Sequence, residues 1–249
     1  MKGYMIKYPG RKWLKHVALS GEEELRDYLP DTEQFTPKGF VSMIERYPVL
    51  FVKPDLGMKG QGVMKVYRKD GRIIIRTENG RYAFQTAKFA AIKLKQLIGT
   101  KRYIMQQGIE LVQIDGNPID FRILMHLRKD ETWKYFGVMG KVAAPNRFVT
   151  NHSSGGRAIR LHHALGLTRQ ECEPWEKKLR ELAYKIARGM KKHFPLITEL
   201  GLDIAIDDQH RVWLLEANTR PQFQLFRYHS NPKLYAQIAS SVRHIRADG

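Results

Sequence analysis

One cysteine, Cys172, stands in 249 residues. That excludes an internal disulfide framework and any cysteine-rich zinc site, and it fits a reducing cytoplasm. No apolar run approaches the roughly eighteen residues a membrane helix needs, so no membrane partner is expected. The opening Met-Lys-Gly-Tyr-Met-Ile-Lys-Tyr-Pro lacks the apolar centre of a secretory leader. Repeats, low-complexity tracts and heptads are absent, as are the two commonest phosphate-binding signatures, Gly-x-Gly-x-x-Gly and the Gly-Lys-Ser/Thr loop. Acidic residues are few: 25 Asp plus Glu against 43 Lys plus Arg leave a net charge of +18. Such a surplus calls for an anionic partner, whether nucleotide, nucleic acid, acidic peptide or anionic surface, and does not choose among them. The cations are mostly scattered singly, which argues against a dedicated nucleic-acid arm.

What is present starts near the C-terminus, in Gly201-Leu-Asp-Ile-Ala-Ile-Asp-Asp-Gln-His-Arg-Val-Trp-Leu-Leu-Glu-Ala-Asn218. Two β-like apolar runs, 202–206 and 212–215, flank a turn-type Asp-Asp-Gln-His and predict a hairpin. An even-length loop would set Ile206 opposite Arg211 and Asp203 opposite Leu214. Side chains two apart share a face, so Asp203, Glu216 and Asn218 are expected on one side of the sheet. Two carboxylates and an amide oxygen suit a hard cation, Mg²⁺ above all. Taken alone, the same residues fit the polar outer face of an ordinary hairpin equally well.

The remaining pattern predicts an α+β chain. A helix is expected around 21–28 and a strand over 48–54. Three strands at 63–67, 73–75 and 82–84 follow, joined by Asp-Gly and Asn-Gly turns as an antiparallel meander. Thr86 is placed to cap a helix that Gly99 stops. Strands follow at 103–107, 119–127 and 133–143. Beyond a polar loop at 144–162, a long helix is expected from Pro174 to near Pro195, and a last helix near 233–245. The simplest organisation is an N-terminal segment (1–46), a small lobe (47–107) and a large lobe (108–249).

Two further features carry chemistry. Gly57-Met-Lys-Gly60-Gln-Gly62 joins two strands rather than a strand and a helix. Such a loop can fold over a polyphosphate through its backbone N–H groups, with Lys53 supplying a point charge; a plain glycine hairpin loop explains it as well. Arg122 sits beside Asp120 in the apolar strand Phe121-Arg-Ile-Leu-Met. A guanidinium there needs a structural carboxylate or a bound phosphate.

The order of these pieces resembles the ATP-grasp superfamily, and within it the YheC/YheD group of spore-coat-associated proteins. The resemblance rests on Lys12-Trp-Leu-Lys15, Leu29-Pro-Asp-Thr32, Phe51-Val-Lys-Pro54, Ile119-Asp-Phe-Arg122, Val149-Thr-Asn-His-Ser-Ser-Gly-Gly156 and Leu214-Leu-Glu-Ala-Asn-Thr-Arg-Pro221, spread over nearly the whole chain. It implies an ATP-grasp fold of two α+β lobes whose antiparallel sheets enclose ATP. It implies that Lys53 and the loop carrying Gly57, Gly60, Gln61 and Gly62 contact phosphate, with Lys15, in preference to Lys12 and Lys38, as the upstream ATP lysine. Gln106, Gln107 and Ile109 match the hinge that holds adenine. Arg122 matches the arginine reaching the terminal phosphates, and Asn151 a residue near the γ-phosphate. Asp203, Glu216 and Asn218 match the magnesium ligands, with Glu216 bridging two ions; Mn²⁺ is the alternative metal. Superfamily relatives usually carry a preceding domain that helps form the acceptor site, whereas here the likeness begins almost at Met1.

The activity so implied is ATP-dependent carboxylate–amine ligation through an acylphosphate. The carboxylate and amine substrates are unassigned; an acidic peptide or polymer would suit a positive surface. Two alternatives stay open: a kinase that leaves phosphate on a hydroxyl, and a non-catalytic basic coat or polyanion-binding protein with a vestigial nucleotide site. The expected location is cytoplasmic, with spore association by resemblance.

Overall fold

The structure, a computed structural model, describes residues 9–57, 60–144 and 156–247. The chain divides into two compact units. The smaller is Gly10–His16 with Pro30–Glu110, and the larger is built from Val17–Leu29 with Leu111 onward.

The smaller unit is a six-stranded antiparallel sheet. Its strands are β1 (Thr32–Gln34), β2 (Val49–Pro54), β3 (Met64–Lys69), β4 (Arg72–Arg76), β5 (Arg81–Phe84) and β6 (Tyr103–Gln107), in the order β1-β6-β2-β3-β4-β5. Asp70 and Gly71 turn β3 into β4 with positive φ at both positions (49° and 69°), the geometry a two-residue hairpin loop requires and an Asp-Gly pair supplies. Alternation on these strands sends Leu50, Val52, Met64, Val66 and Met105 into a core with Phe40, Met43 and Ile44 of helix α2 (Pro37–Arg46) and Ala90, Ala91, Leu94 and Ile98 of α3 (Ala87–Ile98). Thr86 Oγ1 accepts from the Phe89 N–H, and Gly99 ends α3 at φ 61°. A helix that no local signal announces, α1 (Lys12–Ser20), begins where the Asp55 carboxylate accepts from the Trp13 N–H at 2.8 Å. Asp55 thus acts as an N-cap supplied from elsewhere in the chain.

The larger unit holds a five-stranded antiparallel path in the order β10-β9-β8-β11-β12, from β8 (Asn117–Leu127), β9 (Trp133–Val142), β10 (Arg157–Ile159), β11 (Glu199–Ile206) and β12 (Val212–Asn218). The short β7 (Gln113–Ile114) pairs with β8. Helix α4 (Leu161–Ala164) leads to α5 (Arg169–His193), which lies along β8 and β9. α5 starts five residues before Pro174, because Thr168 and Glu171 form a reciprocal capping box; the proline lies inside the helix instead of opening it. On the opposite end of the chain, α6 (Leu234–Ala247) contributes Leu234, Ile238 and Val242, which pack with Leu124, Phe136, Met139 and Phe226. Arg122, Leu124 and His126 alternate along β8 and so share that face, which α6 covers at its His126 end. Among the described residues, no helix is long and apolar enough to cross a membrane.

Candidate functional site

In the smaller unit the sheet face opposite the core carries polar side chains among apolar ones such as Phe51 and Ile104. Cross-strand register puts Thr32, Gln106, Phe51, Lys65 and Arg76 in one row over β1, β6, β2, β3 and β4. Lys53 follows Phe51 by two and therefore shares its face. The Lys53 ammonium donates to Gln106 Oε1 at 2.5 Å, and Gln106 Nε2 donates onward to Thr32 Oγ1 at 3.3 Å. Two of the expected nucleotide residues are thus in direct contact. Gln107 turns elsewhere: its Oε1 accepts from the Asp31 N–H at 3.2 Å, joining the end of β6 to the segment before β1. Ile109 follows half-buried. Burial, with a smaller contribution from Arg76 and partly opposed by Glu110, pushes the Lys65 ammonium below its ordinary pKa.

The connection from β2 to β3 carries the glycines. Gly57, Gly60 and Gly62 all have positive φ (151°, 72° and 70°), a region that side chains disfavour. At Gly62 a Cβ would also lie 3.0 Å from the Tyr103 hydroxyl and 3.1 Å from Pro54 Cγ. Gln61 between them is exposed. Lys15 is buried on α1, and its neighbour Lys12 donates to the Gly57 carbonyl at 3.0 Å. Asn151 lies outside the described residues.

In the larger unit Arg122, Asp203 and Asn218 form one hydrogen-bonded network. Arg122 Nε and Nη2 donate to the two Asp203 oxygens at 2.9 Å each, a bidentate pair, and Nη1 donates to the Gln222 carbonyl at 3.3 Å. Asn218 Nδ2 donates to Asp203 Oδ2 at 2.9 Å. Lys141 Nζ reaches Asp203 Oδ1 at 2.6 Å and Asp120 Oδ2 at 3.0 Å. Burial alone would push the Asp203 carboxyl up, but the charges of Arg122 and Lys141 outweigh it and hold the group well below the ordinary carboxylate range. Arg122 lies within the field of three carboxylates, Asp203, Asp120 and Glu216.

The hairpin that supplies these groups differs in register from the sequence expectation. The connection, residues 207–211, is odd in length, and Ile206 pairs with Val212, not Arg211. Asp207 shapes it by accepting from the Gln209 and Arg211 N–H groups and from the Trp213 indole. Continued regularly, that register would set Glu216 opposite Leu202, on the wrong face. A β-bulge at Leu215 inserts one residue, so Asp203 pairs with Glu216 and Gly201 with Asn218. The three side chains therefore do share one face, through a bulge rather than through the even loop. Gly201 is required here: a Cβ on it would lie 2.4 Å from Pro221 Cβ.

Two carboxylates directly opposite each other on a sheet repel unless a cation compensates them. The donor set of Asp203, Glu216 and Asn218 fits a hard divalent cation by ligand chemistry. Arg122 and Lys141 supply compensating charge at Asp203. Among the described residues, no three His, Cys, Asp or Glu side chains gather as a metal cluster, so the amide of Asn218 would be needed as third ligand. Lys141 is the residue that sequence reading missed. Its signal was the same as that of Arg122, one cation in the apolar strand Val138-Met-Gly-Lys-Val142.

Three solved structures share this fold. D-cycloserine synthetase DcsG superposes with a TM-score of 0.58 at 15% identity, over 94% of this chain and 70% of that one. D-alanyl-alanine synthetase A from Vibrio cholerae gives 0.57 at 11%, over 95% and 65%. The D-alanine-D-alanine ligase from Coxiella burnetii gives 0.55 at 13%, over 96% and 59%. The profile of one family, YheC/D-like ATP-grasp, matches residues 7–244, and the chain belongs to that family. Its curated relatives include two Bacillus subtilis (strain 168) proteins. Endospore coat-associated protein YheD is 28% identical over 235 residues, 90% of this chain and 50% of the relative. Endospore coat-associated protein YheC is 20% identical over 233 residues, 88% and 64%. The chain therefore spans between half and just under two-thirds of the length of these relatives.

Proposed function

We propose that this protein is an ATP-dependent carboxylate–amine ligase acting through an acylphosphate. The observation that carries the reading is the Asp203 network: Asp203, Glu216 and Asn218 share one sheet face with Arg122 and Lys141, in a chain of ATP-grasp fold. In the first step the substrate carboxylate attacks the γ-phosphorus of ATP, forming the acylphosphate and releasing ADP. In the second an amine attacks the acyl carbon, giving the amide with release of phosphate. Charge spreads over the phosphoryl oxygens during the transfer, so the protein's work is alignment and electrostatic stabilisation.

In the larger unit Asp203, Glu216 and Asn218 would hold Mg²⁺, one ion or two, with Mn²⁺ as the alternative. The ion supplies neutralisation of phosphate charge. Arg122 presents its guanidinium to the transferring phosphoryl group. In the smaller unit Lys53, oriented by Gln106, pairs with phosphate oxygens, and the N–H groups of the loop carrying Gly57, Gly60, Gln61 and Gly62 cover them. Lys15 is the upstream lysine of the same set, Gln107 and Ile109 hold the adenine edge, and Asn151 acts near the γ-phosphate.

The relatives' names, coat-associated in both cases, support a role in spore-coat assembly for this chain, and the +18 charge supports an acidic peptide or polymer as acceptor. The same charge favours one second reading, a non-catalytic coat protein that binds a polyanion. A screen of acids and amines with ATP and Mg²⁺, following ADP and phosphate and weighing products by mass spectrometry, separates the readings. Ligation releases ADP and phosphate in equal amounts and yields a product lighter by one water than its two substrates. Phosphate retained on the product marks a kinase. An absence of ATP binding, with steeply salt-dependent polyanion binding, marks the coat protein.

A further inference from the structure

Lys141 compensates the charge of Asp203 from an unusual position. A lysine ammonium is seldom buried, and this side chain is only 8% exposed near the end of β9, within 2.6 Å of Asp203 and 3.0 Å of Asp120. Burying it is stabilising only because both carboxylates pair with it. The carboxylate oxygen it holds, Asp203 Oδ1, also accepts from Arg122, while Oδ2 accepts from Arg122 and Asn218. Every lone-pair direction of a carboxylate is limited, about four sites in all. A metal ion at Asp203 must therefore displace a donor that is already there.

We propose that Lys141 is a resident counter-ion that occupies the cation position at Asp203 and competes directly with divalent metal for it. At Oδ2, Asn218 would turn its Nδ2 away on offering its amide oxygen to the ion; at Oδ1, Lys141 is the donor able to leave without being stranded, because Asp120 remains its partner. Arg122 is pinned by its bidentate geometry and by the Gln222 carbonyl. The consequence is regulatory. Metal alone meets a site already neutralised by two cations and binds weakly. Metal arriving with a polyphosphate brings anions that Arg122 and the displaced ammonium can pair with, so ion and nucleotide bind cooperatively. This rests on the reading of Asp203 as a metal ligand, and the test separates the two.

The test is Mn²⁺ titration of the full chain by electron paramagnetic resonance, without nucleotide. The expected result is Mn²⁺ binding at least tenfold tighter in Lys141→Met than in wild type, with Lys141→Arg no tighter than wild type. Equal or weaker binding by Lys141→Met overturns the counter-ion role alone. Mn²⁺ binding that Asp203→Asn does not weaken, in wild type or in the Lys141→Met background, overturns the ligand reading itself. A second measurement needs no destabilised variant: ¹⁵N-detected lysine ammonium spectra of wild type, with Lys141→Arg for assignment. The Lys141 signal should move when Mg²⁺ and ATP are added together; a signal that stays in place while both are bound overturns the proposal.

Discussion

Replacing Asp203 by asparagine removes the carboxylate that Arg122 and Lys141 share; Lys141 keeps Asp120, and the buried Arg122 guanidinium loses its bidentate partner. The side chains of Arg122, Lys141 and Asp203 are 14%, 8% and 12% exposed, so solvent screens them little. Removing one partner of a buried ion pair costs about 3–5 kcal/mol. Asparagine keeps an acceptor oxygen for one of the donors, which places the loss near ~3 kcal/mol. For a chain of this length that lowers the melting temperature by roughly 6–12 °C. The pH dependence has a definite sign. Asp203 titrates below its unfolded value in the native state, so its stabilisation is complete above the unfolded pKa of about 3.9 and is lost as pH falls toward the depressed native one. Urea unfolding of wild type and Asp203→Asn, followed by tryptophan fluorescence from pH 7 to 3, should show a gap that is constant above pH ~5 and narrows below pH ~4. A variant within ~1 kcal/mol of wild type at pH 7 would show that the network contributes no more than a surface pair.

Three further outcomes follow from the same structure. His126 is buried between Ser241 and Phe136, and burial, helped by Arg246 and Lys134, pushes its pKa down to about 3. The unfolded chain takes up that proton near pH 6.5, so stability should fall as pH drops below that value, and urea midpoints of His126→Gln should stay flatter from pH 6.5 to 4.5. Gly201→Ala drives a Cβ against the rigid Pro221 ring and should destabilise by about 1–3 kcal/mol in thermal melts, with a loss below ~0.5 kcal/mol contradicting the close approach. The Cys172 thiol, buried on α5, is pushed up to about 11, so thiol reagents at pH 8 should modify the protein only after denaturation.

What could be read from sequence was what local chemistry decides. Asp70-Gly71 marks its turn because only such residues accept positive φ, and Thr86 and Gly99 bound α3 because they satisfy or release its end groups. Grouping Asp203, Glu216 and Asn218 on one face used strand alternation and an even-length loop; the loop is odd, and a bulge offsets it. The bulge that achieves it was invisible, since nothing in Leu214-Leu-Glu announces an extra residue; the shift depends on Asp207 closing an odd loop. α1 escaped notice because its cap, Asp55, is 42 residues from Trp13. The start of α5 was misplaced because Pro174 is a louder signal than the Thr168–Glu171 box that outranks it. Lys141 was passed over because a lysine in a strand reads as an edge residue until its two carboxylates, brought from β8 and β11, are seen beside it.

The most direct measurement is calorimetric titration of the full chain with ATP in Mg²⁺, beside Lys53→Met and Glu216→Gln. The account predicts one ATP bound per chain, weaker by roughly 10–150-fold when Lys53 loses its charge-assisted contact, and no Mg²⁺ enhancement of ATP binding in Glu216→Gln. ATP binding of equal strength in all three proteins, or none in the wild type, would contradict it.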